Sequence, residues 1–85
     1  DLDPKEQIKQ KLSFLATYKD AYPLILKLSA NEIKAPFKAY FEACLKFNDD
    51  ESAKEALEKC LISPRLYEEA YYNDLLDKYN AWKNN

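Results

Sequence analysis

The chain has 85 residues, with 13 Lys or Arg and 15 Asp or Glu, a formal net charge of −2, and no Gly, His or Met. A chain of this length is expected to form one domain, here residues 1–85. Without Gly it cannot contain the Gly-rich loops that hold phosphate groups, and without His it has neither a histidine base nor imidazole zinc ligands. We therefore expect a protein that is not an enzyme and that has no cofactor and no bound metal.

The first helix is predicted to run from Pro4 to about Tyr18. Asp3 stands at the N-cap position and Pro4 at the first helical position. Glu6 stands at the third helical position, which a capping box fills with Glu or Gln. Apolar residues then recur on one helical face, at Ile8, Leu12, Leu15 and Ala16.

Residues 20–28 have a mixed pattern. The alternation of Leu24, Leu26 and Leu28 is typical of a strand, but a lone strand would leave its backbone N–H and C=O groups unpaired. We predict a short helix over 21–28 instead.

Residues 29–47, SANEIKAPFKAYFEACLKF, combine a helical pattern with a proline. Ser29 and Glu32 have the spacing of a capping box, so a helix that follows Ser29 would contain Pro36 in its interior. An interior proline costs about 3 kcal/mol, whereas a proline in the first turn costs almost nothing. We predict one capped turn over 30–34 and a new helix from Pro36, with a single kinked helix as the alternative.

The strongest helical signal in the chain follows Pro36. Five residues repeat at the spacing of one helical face: Phe37, Tyr40, Phe41, Cys44 and Leu45. Ala39 and Ala43 lie on a neighbouring face, where small side chains would allow another helix to approach closely.

The acidic segment 48–51 is predicted to separate this helix from the next. It lacks the twelve-residue spacing of a calcium-binding loop, and its carboxylates suit a helix N-terminus. Asn48, Asn84 and Asn85 are the candidates for the left-handed residue that often ends a helix. Ser52 and Glu55 form a second capping-box pattern ahead of a helix over 53–61, with its apolar stripe at Ala53, Ala56, Leu57, Cys60 and Leu61.

The last helix is predicted to begin with Ser63 as N-cap and Pro64 as its first residue and to reach about Trp82. Its stripe contains Tyr67, Ala70, Tyr71, Leu75, Tyr79 and Trp82. The chain is thus predicted to be all-α, a compact bundle of four to five helices with short connections.

Cys44 and Cys60 lie on apolar faces on either side of the acidic segment. A disulfide between the two helices is geometrically possible, and the alternative is two buried free thiols that pack as small apolar side chains. Neither arrangement implies catalysis, because there is no His to activate a thiol and no CxxC motif.

The last helix is rich in aromatic residues, which are common at protein–protein interfaces. We predict partner binding through this helix or an adjoining groove, with Tyr71, Tyr72, Tyr79 and Trp82 as the binding residues. Tyr72 lies off the main stripe and is expected to be exposed. Core packing alone is the alternative explanation for these aromatic residues.

Charge is divided unevenly between the two halves. Residues 1–47 carry a net +2 and residues 48–85 a net −4. Nucleic-acid binding is therefore not expected, although six lysines of the first half would support it if they clustered: Lys5, Lys9, Lys19, Lys27, Lys34 and Lys38. No apolar run approaches the ~20 residues that span a bilayer. No signal peptide is visible and a cytoplasmic location is favoured, although a chain that starts at Asp1 can be a processed piece.

The order of elements from residue 28, LSANEIKAPFKAYFEACLKF followed by a short helix and a longer one, resembles the helicase-binding helical region of bacterial primases. The shared feature is an aromatic and leucine-rich helix preceded by a proline-containing turn, over about half of the chain. The resemblance implies a nucleic-acid-handling accessory domain as the second hypothesis, after a protein–protein interaction domain. A carrier of an apolar ligand is the third.

Overall fold

The computed structural model describes residues 3–84, which form five α-helices and a 3₁₀ turn and contain no β-strand. The helices are α1 (Pro4–Leu12), α2 (Ala21–Leu26), α3 (Lys34–Lys46), α4 (Asp50–Ile62) and α5 (Glu69–Lys83), and the 3₁₀ turn is Tyr18–Asp20. This architecture confirms the predicted all-α bundle with short connections.

Helix α3 lies at the centre of the bundle, because it packs against each of the other four helices. The apolar stripe predicted for it is largely buried: Phe37, Phe41 and Cys44 are fully shielded from solvent and Tyr40 nearly so. The other helices and the connecting segments add buried side chains to the same core: Ile8, Ala21, Ile25, Ile33, Ala53, Ala56, Cys60, Leu66 and Leu75. Complete burial of a Phe, Ile or Leu side chain stabilises a fold by about 1.5–3 kcal/mol.

Helix α1 begins as predicted but ends six residues earlier than predicted, at Leu12. The Asp3 carboxylate accepts the N–H of Lys5 at 3.0 Å, which confirms the N-cap. At the other end, the hydroxyl groups of Ser13 and Thr17 donate hydrogen bonds to backbone carbonyls of the last helical turns, at 3.1 and 2.8 Å. These bonds satisfy carbonyls that a longer helix would use, so the helix can stop there.

The early end of α1 changes the environment of the residues that follow it. The chain turns so that Tyr18 is buried against the rings of Phe47 and Tyr40, with ring centres 5.1 and 6.3 Å away. Leu15, which was predicted on the buried face, is instead 65% exposed, and the neighbouring Phe14 is 63% exposed. The tertiary contacts of Tyr18 therefore outweigh the local helical periodicity.

Pro36 is the third residue of α3, so the prediction of a separate turn followed by a new helix is confirmed. The turn is closed by the carbonyl of Ser29, which accepts the N–H groups of Glu32 and Ile33 at 3.0 and 2.9 Å. The helix begins at Lys34, two residues earlier than predicted. The missing N–H of Pro36 costs nothing there, because N–H groups of the first turn have no acceptor inside the helix.

Asn48 ends α3 in the left-handed conformation, with φ of 59°, as predicted. Asn84 at the end of α5 has φ of −86°, so the same prediction was wrong for it, and Asn85 lies outside the described residues. The N–H of Asn48 bonds to the carbonyl of Leu45, and the N–H of Asp49 bonds to the carbonyl of Cys44 at 2.7 Å. This pair of bonds is the Schellman arrangement. Ser52 is not the next N-cap: Asp49 has that role and accepts the N–H of Ser52, so α4 begins three residues earlier than predicted.

Helix α5 begins at Glu69, five residues later than predicted. Ser63 instead starts a turn in which its carbonyl accepts the N–H groups of Leu66 and Tyr67. This turn inserts Leu66 fully into the core and lets the Arg65 guanidinium donate hydrogen bonds to backbone carbonyls at the end of α2. Both contacts would be lost if the helix started at Pro64.

Candidate functional site

Two of the aromatic residues predicted to bind a partner hold α5 in place. Tyr79 is buried, and its hydroxyl donates a hydrogen bond to the Asp50 carboxylate at the start of α4. Tyr71 is partly buried, and its hydroxyl donates to the backbone carbonyl of Lys34 at the start of α3. Burial also raises the pKa of the Tyr71 hydroxyl. These two tyrosines therefore have a structural role in attaching α5 to its neighbours.

The other two predicted residues, Tyr72 and Trp82, keep part of their surface in solvent but do not lie together. They are ten residues apart, which corresponds to about 15 Å along an α-helix. The ring of Tyr72 lies 6.2 Å from the ring of Tyr67, which precedes α5 and is 46% exposed. Tyr67 rather than Tyr72 is thus the more exposed aromatic residue, and the structure does not bring the four predicted residues into one continuous face.

A mostly apolar groove that the sequence did not predict lies between α1 and α3, with a volume of about 430 Å³. One wall is a single face of α1, formed by Lys5, Ile8, Lys9 and Leu12. Ile8 is buried at the base of this wall, and Leu12 is partly buried. The α1 wall therefore combines apolar side chains with two lysines.

The other wall of the groove is formed by Ala35, Pro36 and Ala39 of α3. Their side chains are small and cannot fill the space opposite α1, which is why a concavity remains. The sequence pattern had placed Ala39 with Ala43 on a face where another helix could approach. In the structure only Ala43 is buried, and Ala39 faces a groove that is open to solvent.

Charged side chains lie at the edge of this groove. Lys5 reaches across it to Glu32, with 3.8 Å between Nζ and Oε1, and both side chains are about half exposed. Such an exposed pair contributes only a few tenths of a kcal/mol. Lys9 makes no ion pair within the described residues, although Glu6 lies one turn before it.

A second apolar surface lies at the end of α4, where Leu61 and Ile62 are 50% and 67% exposed. Leu61 was predicted to be buried with the rest of the α4 stripe, and this prediction is wrong. The nearby concavity is lined by Tyr22 and Ile62 and by the charged residues Glu55, Glu58 and Lys59. Three of these five residues are charged, whereas five of the nine residues that line the groove between α1 and α3 are apolar.

Among the acids of residues 3–84, Asp49, the N-cap of α4, has the pKa that departs most from its ordinary value. The Tyr18 hydroxyl donates a hydrogen bond to one carboxylate oxygen, and Lys19 Nζ lies 3.3 Å from the same oxygen. Partial burial alone would raise the pKa of Asp49, but the hydrogen bonds from Tyr18 and from Ser52 outweigh it and lower the pKa to about 2. A carboxylate held in this ionised state is a poor general base, so we interpret the cluster as structural.

The disulfide considered between Cys44 and Cys60 is not present, and both residues are buried free thiols. Cys44 lies two residues from the end of α3, about 3 Å along the axis, whereas Cys60 lies ten residues from the start of α4, about 15 Å along the axis. The earlier start of α4 therefore separates the two thiols along their helices. Burial raises the pKa of Cys44 to about 11 and also raises the pKa of Cys60.

Residues 3–84 contain no group of three or more Cys, Asp or Glu side chains arranged to hold a metal ion. None of the helices in this part of the chain is both long enough and apolar enough to cross a membrane. Comparisons with protein-family models, with characterised proteins and with solved structures find no match to the chain. They add no support to the resemblance to the helicase-binding region of primases.

Proposed function

We propose that the chain is a non-catalytic protein–protein interaction domain whose groove between α1 and α3 binds a helical segment of another protein. The observation that carries this proposal is the groove itself, which is open to solvent and has apolar residues on both walls. Phe14 and Leu15, which come after the C-cap Ser13 of α1, are more than half exposed and add apolar surface beyond the end of this helix. Exposed apolar surface of this kind often marks an interaction site.

The shape and chemistry of the groove favour a helix over other peptide conformations. The described residues contain no strand, so they offer no sheet edge to which an extended peptide could add. Polyproline segments bind grooves lined by aromatic side chains, and this groove has none. The α1 wall spans Lys5 to Leu12, or about 10 Å, which equals the distance between residues i and i+7 of a bound helix.

The aromatic helix α5 is the weaker candidate for the primary surface. The hydroxyl groups of Tyr71 and Tyr79 already make hydrogen bonds to α3 and α4, and these bonds support the fold. Tyr72 and Trp82 remain as separate partly exposed rings. We retain Tyr72, together with the adjacent Tyr67, as a secondary contact surface.

Ion pairs within the domain favour a protein partner over nucleic acid. Of the six lysines that would form a basic surface, four are paired with carboxylates: Lys5 with Glu32, Lys19 with Asp49, Lys34 with Glu68 and Lys38 with Asp74. These carboxylates would repel phosphate groups and weaken the electrostatic attraction on which nucleic-acid binding depends. Steeply salt-dependent binding to single- or double-stranded DNA or RNA would contradict this preference.

The proposal is tested by selecting peptides on the intact chain from a display library of amphipathic helices. The library fixes apolar residues at i, i+3 and i+7 and varies the other positions. Selected peptides are then measured against Ala35→Gln, which places a larger polar side chain in the groove, and against Ala81→Gln. Both residues are exposed helical alanines, and Ala81 lies on α5, so the pair is matched in helix propensity.

We expect Ala35→Gln to weaken peptide binding at least about tenfold and Ala81→Gln to leave it unchanged, because only the first lies in the groove. Far-UV circular dichroism of both variants checks that the fold is retained. The proposal fails if the library yields no binding peptide, or if the selected peptides bind both variants as tightly as they bind the parent chain.

A further inference from the structure

We infer that the helix bound by the groove is acidic next to its apolar stripe, with a carboxylate placed to pair with Lys9. This inference rests on the proposed function, since it names the chemical class of partner for the same groove.

Lys9 places a positive charge on the α1 wall of the groove. It lies on the α1 wall between Ile8 and Leu12, is exposed, and makes no ion pair within the described residues. A bound apolar stripe that contacts Ile8 and Leu12 would bring its flanking side chains within reach of Lys9. A carboxylate there gains an ion pair, whereas a lysine would face a like charge at the rim.

The Lys5–Glu32 pair adds to the preference for an acidic helix. The two side chains meet across the mouth of the groove at a distance of 3.8 Å, and both are about half exposed. Because such a pair is weak, a carboxylate of the partner can replace Glu32 at little cost. An incoming lysine would have to share Glu32 with Lys5, and it would still meet the charge of Lys9.

The backbone of α1 also favours positive charge at this end of the helix. Lys9 and Lys11 lie in its last turn, where cations are favoured by the helix dipole. Lys9 therefore lies where the helix favours a cation, on the wall that lines the groove. The expected ligand is therefore a segment of about 8–12 residues with apolar residues at i, i+3 or i+4 and i+7 and at least one Asp or Glu beside the stripe.

The experiment uses the peptide library described above, with the positions beside the apolar stripe varied among Glu, Lys and Gln. The intact chain is compared with Lys9→Glu and with Lys59→Glu. Lys59 serves as the control because it also lies in the last turn of its helix and makes no ion pair among residues 3–84, and its helix α4 does not contact α1. Affinities of Glu-, Gln- and Lys-flanked versions of the best peptide are measured at low and high salt.

We expect selected peptides to be enriched in Glu beside the stripe and Lys9→Glu to weaken the Glu-flanked peptide about fivefold while Lys59→Glu does not. Added salt should reduce the advantage of Glu over Gln, because the pair is exposed. Equal affinity of the Glu-, Gln- and Lys-flanked peptides, with Ala35→Gln still weakening all three, would overturn the acidic preference and leave the groove itself in place. A library that yields no binding peptide would overturn both.

Discussion

The hydrogen bond from the Tyr18 hydroxyl to Asp49 connects the segment that follows α1 to the start of α4, and its contribution to stability can be measured. Tyr18→Phe keeps the buried ring and its contacts with Phe47 and Tyr40 but removes the hydrogen bond to the ionised Asp49. A hydrogen bond to a charged group contributes about 1.5–3 kcal/mol. Asp49 keeps its bond from Ser52, so we expect a loss near the lower end, about 1.5 kcal/mol at pH 7.

The same variant should also change the pH dependence of stability. The pKa of Asp49 falls from 3.8 in the unfolded chain to about 2 in the folded protein, which corresponds to about 2 kcal/mol of stability. Because folding lowers this pKa, the contribution is fully present above the unfolded value and disappears as the pH falls towards 2. Removing the Tyr18 hydroxyl raises the folded pKa of Asp49, so the difference between variant and parent should shrink between pH 5 and pH 2.

The assay is urea unfolding followed by far-UV circular dichroism at pH 7 and at several values down to pH 2. Tyr67→Phe is the control, since Tyr67 is exposed and its hydroxyl makes no hydrogen bond within the described residues. It should change the free energy of unfolding by less than about 0.5 kcal/mol. If Tyr18→Phe is no more destabilising than Tyr67→Phe, or if its effect is the same at pH 7 and pH 2, the hydrogen bond does not stabilise the fold as described.

Three further predictions concern helix ends and buried residues. Pro36→Ala should change the free energy of unfolding by less than about 0.5 kcal/mol, because Pro36 lies in the first turn of α3. A clearly larger change, measured by urea unfolding, would contradict this position and indicate that Pro36 lies in the interior of a helix. Asn48→Ala should destabilise the domain by about 1 kcal/mol and Asn48→Gly by less, since φ is 59° there, and equal melting temperatures for the two variants would contradict this. At pH 7, iodoacetamide should label Cys44 and Cys60 only after urea unfolding, because both thiols are buried and their pKa values are raised. Rapid labelling of the native chain, detected by mass spectrometry, would disprove their burial.

Local patterns predicted those parts of the fold that depend on neighbouring residues. The N-cap role of Asp3 and the place of Pro36 in the first turn of a helix each depend on residues within one helical turn. Both predictions agree with the structure. The left-handed Asn48 was predictable for the same reason, because the chain has no Gly to take that role. Periodicity also placed Phe37 and Phe41 correctly in the core.

Helix ends that are set by distant contacts were predicted wrongly. Helix α1 stops early because Tyr18 reaches Asp49, which is 31 residues away in sequence. Helix α5 starts late because Leu66 inserts into the core and Arg65 bonds to carbonyls of α2. Neither contact leaves a sign in the spacing of the local sequence.

The sequence did not predict the groove between α1 and α3, for a related reason. Its walls come from α1 and α3, and the sequence gives no information on the register of one helix against the other. The small residues Ala35 and Ala39 were visible in the sequence, but whether such a face is filled by a neighbouring helix or left open depends on the tertiary packing. The aromatic content of the sequence instead predicted a binding surface on α5, where the hydroxyl groups of Tyr71 and Tyr79 attach this helix to α3 and α4.

The most direct test of the groove as the binding surface is an NMR titration of the ¹⁵N-labelled intact chain with the best helical peptide from the library. We predict that backbone amide signals of Ile8, Leu12 and Ala39 shift together with one saturation curve, because these residues line the groove. The indole N–H signal of Trp82, the one Trp in the chain, should stay in place. Movement of the Trp82 and Tyr72 signals without any change at the groove residues would contradict the proposed site.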